Sequence, residues 1–146
     1  MDKTLVSYFF EEASKTFDFL RREYGFSAPQ LETNEKIKFA YVTFMAKHIA
    51  VECILDQREE DITVKIVRVL DGKKTPYYAV DKKNAWVRQD LFGLLRREGA
   101  PAAGCLRKLE SGLDFSDRIP RLLDNYAEML KKYGKDVLDD SPTALD

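Results

Sequence analysis

Apolar residues recur along the chain with two periods, and the change of period divides it into three parts. In the first part Phe9, Phe10, Ala13, Phe17, Leu20 and Tyr24 fall at helical spacing. Glu11, Glu12, Lys15, Asp18, Arg21 and Arg22 take most of the other positions, so one amphipathic helix is predicted up to Tyr24. Gly25 is its natural stop, because glycine enters the left-handed conformation at no steric cost. Phe26 then lies where a residue folds back onto the last turn, against Leu20. A polar loop containing Pro29 follows over 27–35.

The middle part reads as strands. Residues 36–44 are rich in β-branched and aromatic side chains, and residues 45–47 make a short connection to a second strand over 48–55. In that strand Ile49, Val51, Cys53 and Leu55 share one face, and His48, Ala50, Glu52 and Ile54 the other. A polar turn spans 56–60. A third strand over 61–70 sets Ile62, Val64 and Ile66 opposite Thr63 and Lys65. Asp71-Gly72 is a strong hairpin signal, and Tyr77-Tyr78-Ala79-Val80 reads as a short fourth strand, at an edge because Pro76 precedes it. Parallel neighbours need a crossover of a dozen or more residues, so strands this close in sequence form an antiparallel meander.

The last part is helical again. Asn84 is placed to cap a helix containing Val87, Leu91, Leu94 and Leu95 that closes at Gly99, and a short helix fits 105–109. The strongest periodicity in the chain follows: Ile119, Leu122, Leu123, Tyr126, Ala127, Leu130 and Tyr133 make one continuous stripe. Asp114, Ser116 or Asp117 would cap this helix, Pro120 is tolerable only in its first turn, and Gly134 ends it. The tail from about 139 is expected to fray. The prediction is a single α+β domain over 1–146: an N-terminal helix, an antiparallel meander of three to four strands, and C-terminal helices packed on the sheet.

Composition adds little to the fold but limits the function. The 146 residues are 45% hydrophobic and 34% charged, yet 24 basic and 25 acidic side chains leave a net charge of −1. That excludes a strongly basic nucleic-acid arm and a strongly acidic tail. No run of about 18 apolar residues exists to cross a membrane. Asp2, Glu11 and Glu12 interrupt the region where a signal peptide would be apolar, and Cys53 and Cys105 are too few for a disulfide scaffold, so a cytoplasmic protein is expected.

Catalytic signatures are sparse. One histidine, His48, offers no imidazole pair and no histidine-rich metal site, and Cys53 lies on the opposite face of its strand, which argues against a Cys–His nucleophile. The glycines match neither a phosphate-binding loop nor a nucleophile elbow. No enzyme activity, cofactor or metal is therefore expected. Charge is nevertheless uneven. Glu52, Asp56, Glu59, Glu60 and Asp61 face only Arg58 over 52–61. Over 62–97 the bases Lys65, Arg68, Lys73, Lys74, Lys82, Lys83, Arg88, Arg96 and Arg97 outnumber Asp71, Asp81 and Asp90. The candidate partner-binding residues are Asp56, Glu59, Glu60 and Asp61 in the acidic turn, and Lys73, Lys74, Tyr77, Tyr78, Lys82, Lys83 and Trp86 in the basic, aromatic stretch.

Two segments carry a resemblance. Phe17-Asp18-Phe19-Leu20-Arg21-Arg22-Glu23-Tyr24-Gly25-Phe26 closes the opening helix, and Leu122-Leu123-Asp124-Asn125-Tyr126-Ala127-Glu128-Met129-Leu130 opens a run that continues through Tyr133-Gly134 to Leu138. With a meander between them, the pattern resembles small bacterial α+β proteins of the toxin-immunity type. The resemblance implies a non-enzymatic domain that inhibits a partner toxin by covering it, with charge complementarity speeding capture; it carries no site residues across. Two other readings stand beside it. One is a nucleic-acid-binding module using the basic and aromatic residues of 73–97. The other is a small ligand-binding domain in which carboxylates such as Glu52 and Asp90 converge in a pocket.

Overall fold

A computed structural model describes residues 1–75, 88–97 and 113–139. The opening apolar stripe forms two helices: α1 (Lys3–Thr16), N-capped by Asp2 through Leu5 N–H, and α2 (Phe19–Tyr24). The single helix expected up to Tyr24 is thus broken at Phe17–Asp18. The break still buries both apolar sets, since Phe9, Ala13, Phe17, Phe19 and Leu20 all enter the core. Gly25 adopts φ 73°, and Phe26 N–H donates to Leu20 O at 3.0 Å, the predicted helix ending.

The sheet is the predicted antiparallel meander with more strands. It runs β1 (Gln30–Asn34), β2 (Phe39–Met45), β3 (Ile49–Asp56), β4 (Asp61–Leu70) and β5 (Lys73–Lys74) in spatial order, and β6 (Arg88–Asp90) pairs with β4. β1 replaces the middle of the expected polar loop. All five of its residues are exposed, so it has no apolar alternation to betray it, and pairing with β2 alone makes it a strand. Likewise Arg88–Asp90 is strand, not part of a helix begun at Asn84. The helix α3 (Leu91–Arg97) starts after it, with Asp90 Oδ1 accepting from Phe92 N–H at 2.9 Å. Asp71 (φ 53°) and Gly72 (φ 75°) make the two-residue turn between β4 and β5 that their sequence signalled. The short strand expected at Tyr77–Val80, the helix at 105–109 and the tail beyond 139 lie outside the described residues.

One face of the sheet meets the helices. Val42, Phe44, Val51, Cys53, Leu55, Ile62, Val64 and Ile66 pack against α1 and α4 (Phe115–Tyr133), whose buried stripe contains every residue predicted for it except Tyr133, which is half-buried. Tyr126 Oη donates to Ile62 O at 3.2 Å, tying α4 to β4. Asp114 is the N-cap of α4, which places Pro120 in the second turn and not the first. The carbonyl left without an N–H belongs to Ser116, which is exposed, and this lowers the cost. Gly134 ends α4, and α5 (Lys135–Leu138) follows with Val137 and Leu138 in the core. A Cβ at Gly134 would lie 2.6 Å from Leu130 O.

The other face is concave. β3 is buried on both sides until its last residue. Ala50, Val67 and Val69 form a second small core there, with Met45 against it. Beside them lies Lys74. Its Nζ is 2.9 Å from Glu52 Oε2 on β3, 2.9 Å from Thr43 Oγ1 on β2 and 3.2 Å from Glu32 Oε1 on β1. In a flat sheet β5 and β1 would be about 19 Å apart. That exceeds the joint reach of a lysine and a glutamate, so these contacts exist because the sheet curls into a half-barrel around the ammonium.

Two stability outcomes follow from this packing. Lys74→Met removes an ammonium from a carboxylate that is 1% exposed, and is expected to destabilise the fold by about 3 kcal/mol in urea unfolding, with Glu52→Gln in the same chain recovering much of the loss. Gly134→Ala is expected to cost about 1–3 kcal/mol, because the obstruction is backbone and cannot swing away; an unchanged Tm would contradict it.

Candidate functional site

The acidic turn lies at one end of β4, and Lys73 and Lys74 lie at the other. From Asp61 to Leu70 the strand runs about 30 Å, so the structure separates the acidic turn from these two lysines. Asp56, Glu59, Glu60 and Asp61 do come together, at the end where β3 turns into β4. Lys73 is exposed at the other end. Lys74 is only 15% exposed and is held between Glu52 and Glu32, which makes it a structural tie. Tyr77, Tyr78, Lys82, Lys83 and Trp86 lie outside the described residues.

The acidic turn is one half of a larger feature. Asn34, Phe39, Asp56 and Asp61 occupy one cross-strand row, the last rung of β1, β2, β3 and β4. Beyond that rung two turns, 35–38 and 57–60, stand side by side. Each is organised by the last residue of the strand before it. Asn34 Oδ1 accepts from Lys36 N–H (3.1 Å) and Ile37 N–H (3.4 Å), and Asp56 Oδ1 accepts from Arg58 N–H (3.0 Å) and Glu59 N–H (3.1 Å). Short Asx side chains favour such turns because they bond the backbone two residues on.

The turns are also bonded to each other. Gln57 N–H donates to Lys38 O at 3.1 Å, and Arg58 Nη2 donates to Lys36 O at 3.1 Å. From below, Arg118 Nη2 on α4 donates to Glu60 O at 3.4 Å. Lys38 (φ 61°) and Glu60 (φ 50°) hold left-handed backbone without being glycine, a conformation that persists where surrounding contacts over-determine it. The result is a fixed tip. Ile37, in the first turn, is 41% exposed, and Glu35, Lys36, Arg58, Glu59 and Glu60 of the two turns are exposed as well.

Sequence reasoning found the acidic half of this tip and missed Asn34, Lys36, Ile37 and Lys38, which it divided between a loop and a strand. The signal was a repeated spacing: Asn34-Glu35-Lys36 and Asp56-Gln57-Arg58 are both Asx, one polar residue, then a base.

The groups considered for chemistry are placed elsewhere. Asp90 Oδ1 caps α3 and Glu52 Oε2 accepts from Lys74, so each carboxylate is engaged by a partner of its own. They flank Lys65 in a single row across β3, β4 and β6. Cys53 is fully buried on the helix-facing side, and burial, with Glu52 adding to it, pushes its thiol far above the ordinary range, so no thiolate is available. His48 is half-buried just before β3, and Cys105 lies outside the described residues. Among the described residues no group of three or more His, Cys, Asp or Glu is placed to hold a metal ion, and no helix is long and apolar enough to cross a membrane. No protein-family model, curated protein or solved structure matches the chain.

The tip's rigidity has a direct test. Asp56→Ala removes the acceptor of two backbone bonds and is expected to lower stability by about 1 kcal/mol and raise amide exchange at Arg58 and Glu59. Asp56→Asn keeps the Oδ1 acceptor and should leave exchange near wild type; equal exchange in both variants would show that the side chain does not organise the turn.

Proposed function

We propose that the protein is a non-enzymatic binding domain that captures a protein partner through the paired-turn tip. The observation that carries this reading is Ile37, an exposed large aliphatic side chain on backbone already fixed by bonds within and between two turns. A surface ordered before encounter loses little entropy on binding. An exposed apolar residue on a tip otherwise rich in charge suits a protein interface, where a few anchors supply most of the affinity. The mixed charges of the two turns, Glu35, Glu59 and Glu60 with Lys36 and Arg58, would set orientation and partner choice.

The resemblance to bacterial toxin-immunity proteins supplies the narrower reading: the partner is a toxin, and the domain inhibits it by covering its working surface. A rigid, preformed tip suits that task. The nucleic-acid alternative has less support from the described residues, since Lys74, one of its cations, is occupied by two carboxylates.

The test is affinity capture from the native host with wild-type protein and with Ile37→Asp. A partner is expected that is retained by wild type and bound roughly tenfold or more weakly by the variant, and whose expression alone arrests growth while co-expression with this protein restores it. Failure to capture any partner, or equal capture by both proteins, would sink the proposal.

A further inference from the structure

The elbow between α1 and α2 holds an open groove of about 590 Å³, closed on its far side by the last turn of α4. Its charged lining is Lys15, Asp18, Arg21, Arg22, Glu23 and Lys131, four cations against two carboxylates. Asp18 serves both arginines, at 3.7 Å from Arg21 Nη1 and 2.6 Å from Arg22 Nε, so one carboxylate orients two guanidinium groups while neutralising a single charge. On the opposite wall Lys131 Nζ lies 4.8 Å from the Phe19 ring centroid, over an aromatic face and not in a carboxylate pair. Lys15 is mostly exposed and paired only loosely with Glu12, at 3.6 Å.

The groove lies at the C-terminal end of α1, whose dipole is negative there, so its cations must outweigh the backbone. Part of that backbone is bonded internally: Ala13 O to Phe17 N–H, Lys15 O to Asp18 N–H and Phe17 O to Leu20 N–H. The side chains that line the groove are cationic on balance. Arginine forks bind phosphate oxygens in bidentate fashion while lysine acts as a point charge, and both occur here on facing walls. The volume is in the range of small-molecule sites.

We propose that this groove binds a polyanionic, phosphate-bearing small molecule, with Arg21 and Arg22 on one side and Lys131 on the other. Two or more negative groups are needed because the excess positive charge is shared between walls from different helices. The Phe19 face is covered by Lys131, so the phosphates and not an aromatic ring are the recognised part.

The experiment is isothermal titration of the full chain with sodium pyrophosphate at constant ionic strength, with sodium sulfate as the matched control and ATP and tripolyphosphate in parallel. Saturable binding is expected, tighter for pyrophosphate than for sulfate, and weakened more than about tenfold in Arg21→Gln/Lys131→Gln. Lys3→Gln/Lys73→Gln, which removes the same charge elsewhere, should bind as wild type. ATP is expected to bind no more tightly than tripolyphosphate, and tighter ATP binding would show that a base is recognised and overturn the assignment to the phosphates. Pyrophosphate binding no better than sulfate, or loss in both double variants alike, would overturn the assignment. Circular dichroism of each variant checks the fold.

Discussion

The curled sheet closes on one ammonium. Lys74 leaves the shortest strand, at one edge, and reaches a carboxylate on β3, a hydroxyl on β2 and a second carboxylate on β1. A buried ion pair adds little net stability over apolar groups of similar size, because desolvation consumes most of the Coulombic gain. Its effect here is geometric. Glu52 is 1% exposed and Lys74 Nζ is 2.9 Å from its Oε2, a contact that only a curled sheet allows together with the reach to Glu32. The half-barrel, the burial of β3 on both faces and the small core of Ala50, Val67 and Val69 all accompany that closure.

The tip at the other end of the sheet shows a different economy. Its order comes from neutral and singly charged hydrogen bonds to backbone, each modest, arranged so that the two turns restrain each other. The helical layer contributes through Arg118, which joins α4 to the β3–β4 turn as Tyr126 joins it to β4. The stripe that makes α4 the most legible element of the sequence therefore also supports the surface proposed to meet a partner. The elbow groove draws on the same helix from its opposite end through Lys131, so the two proposed surfaces share one rigid element and lie apart.

Legibility varied with the strength of the local signal. α4, the Gly25 ending, the Asp71-Gly72 hairpin and the strands around Val51 and Val64 were plain because each has a periodicity or a backbone conformation that few sequences supply. β1 was not, since Gln30–Asn34 is exposed throughout and owes its extension to β2. β6 was hidden in what reads as the start of a helix, because Arg88–Asp90 is extended by pairing with β4 while the helical pattern resumes one residue later. The break between α1 and α2 escaped for a related reason: the apolar stripe continues across it, and only the direction of the chain changes. Of the tip, Asp56, Glu59, Glu60 and Asp61 were legible as a charged turn, whereas Ile37 reads in sequence as an ordinary strand residue.

What the sequence by itself determined is the set of elements that bury apolar faces: the helices, the core strands and their antiparallel order, through hydrophobic period and the short connections between strands. It also determined the turn chemistry of Gly25 and Asp71-Gly72, through backbone sterics. Tertiary structure decided which polar residues face each other. Lys74 and Glu52 are 22 positions apart, and Asn34 and Asp56 likewise. Nothing local relates them, because strand register and sheet curl are set by the whole sheet. Whether a lysine is a solvated cation or a buried tie, and whether two turns are separate loops or one fixed surface, depends on that register.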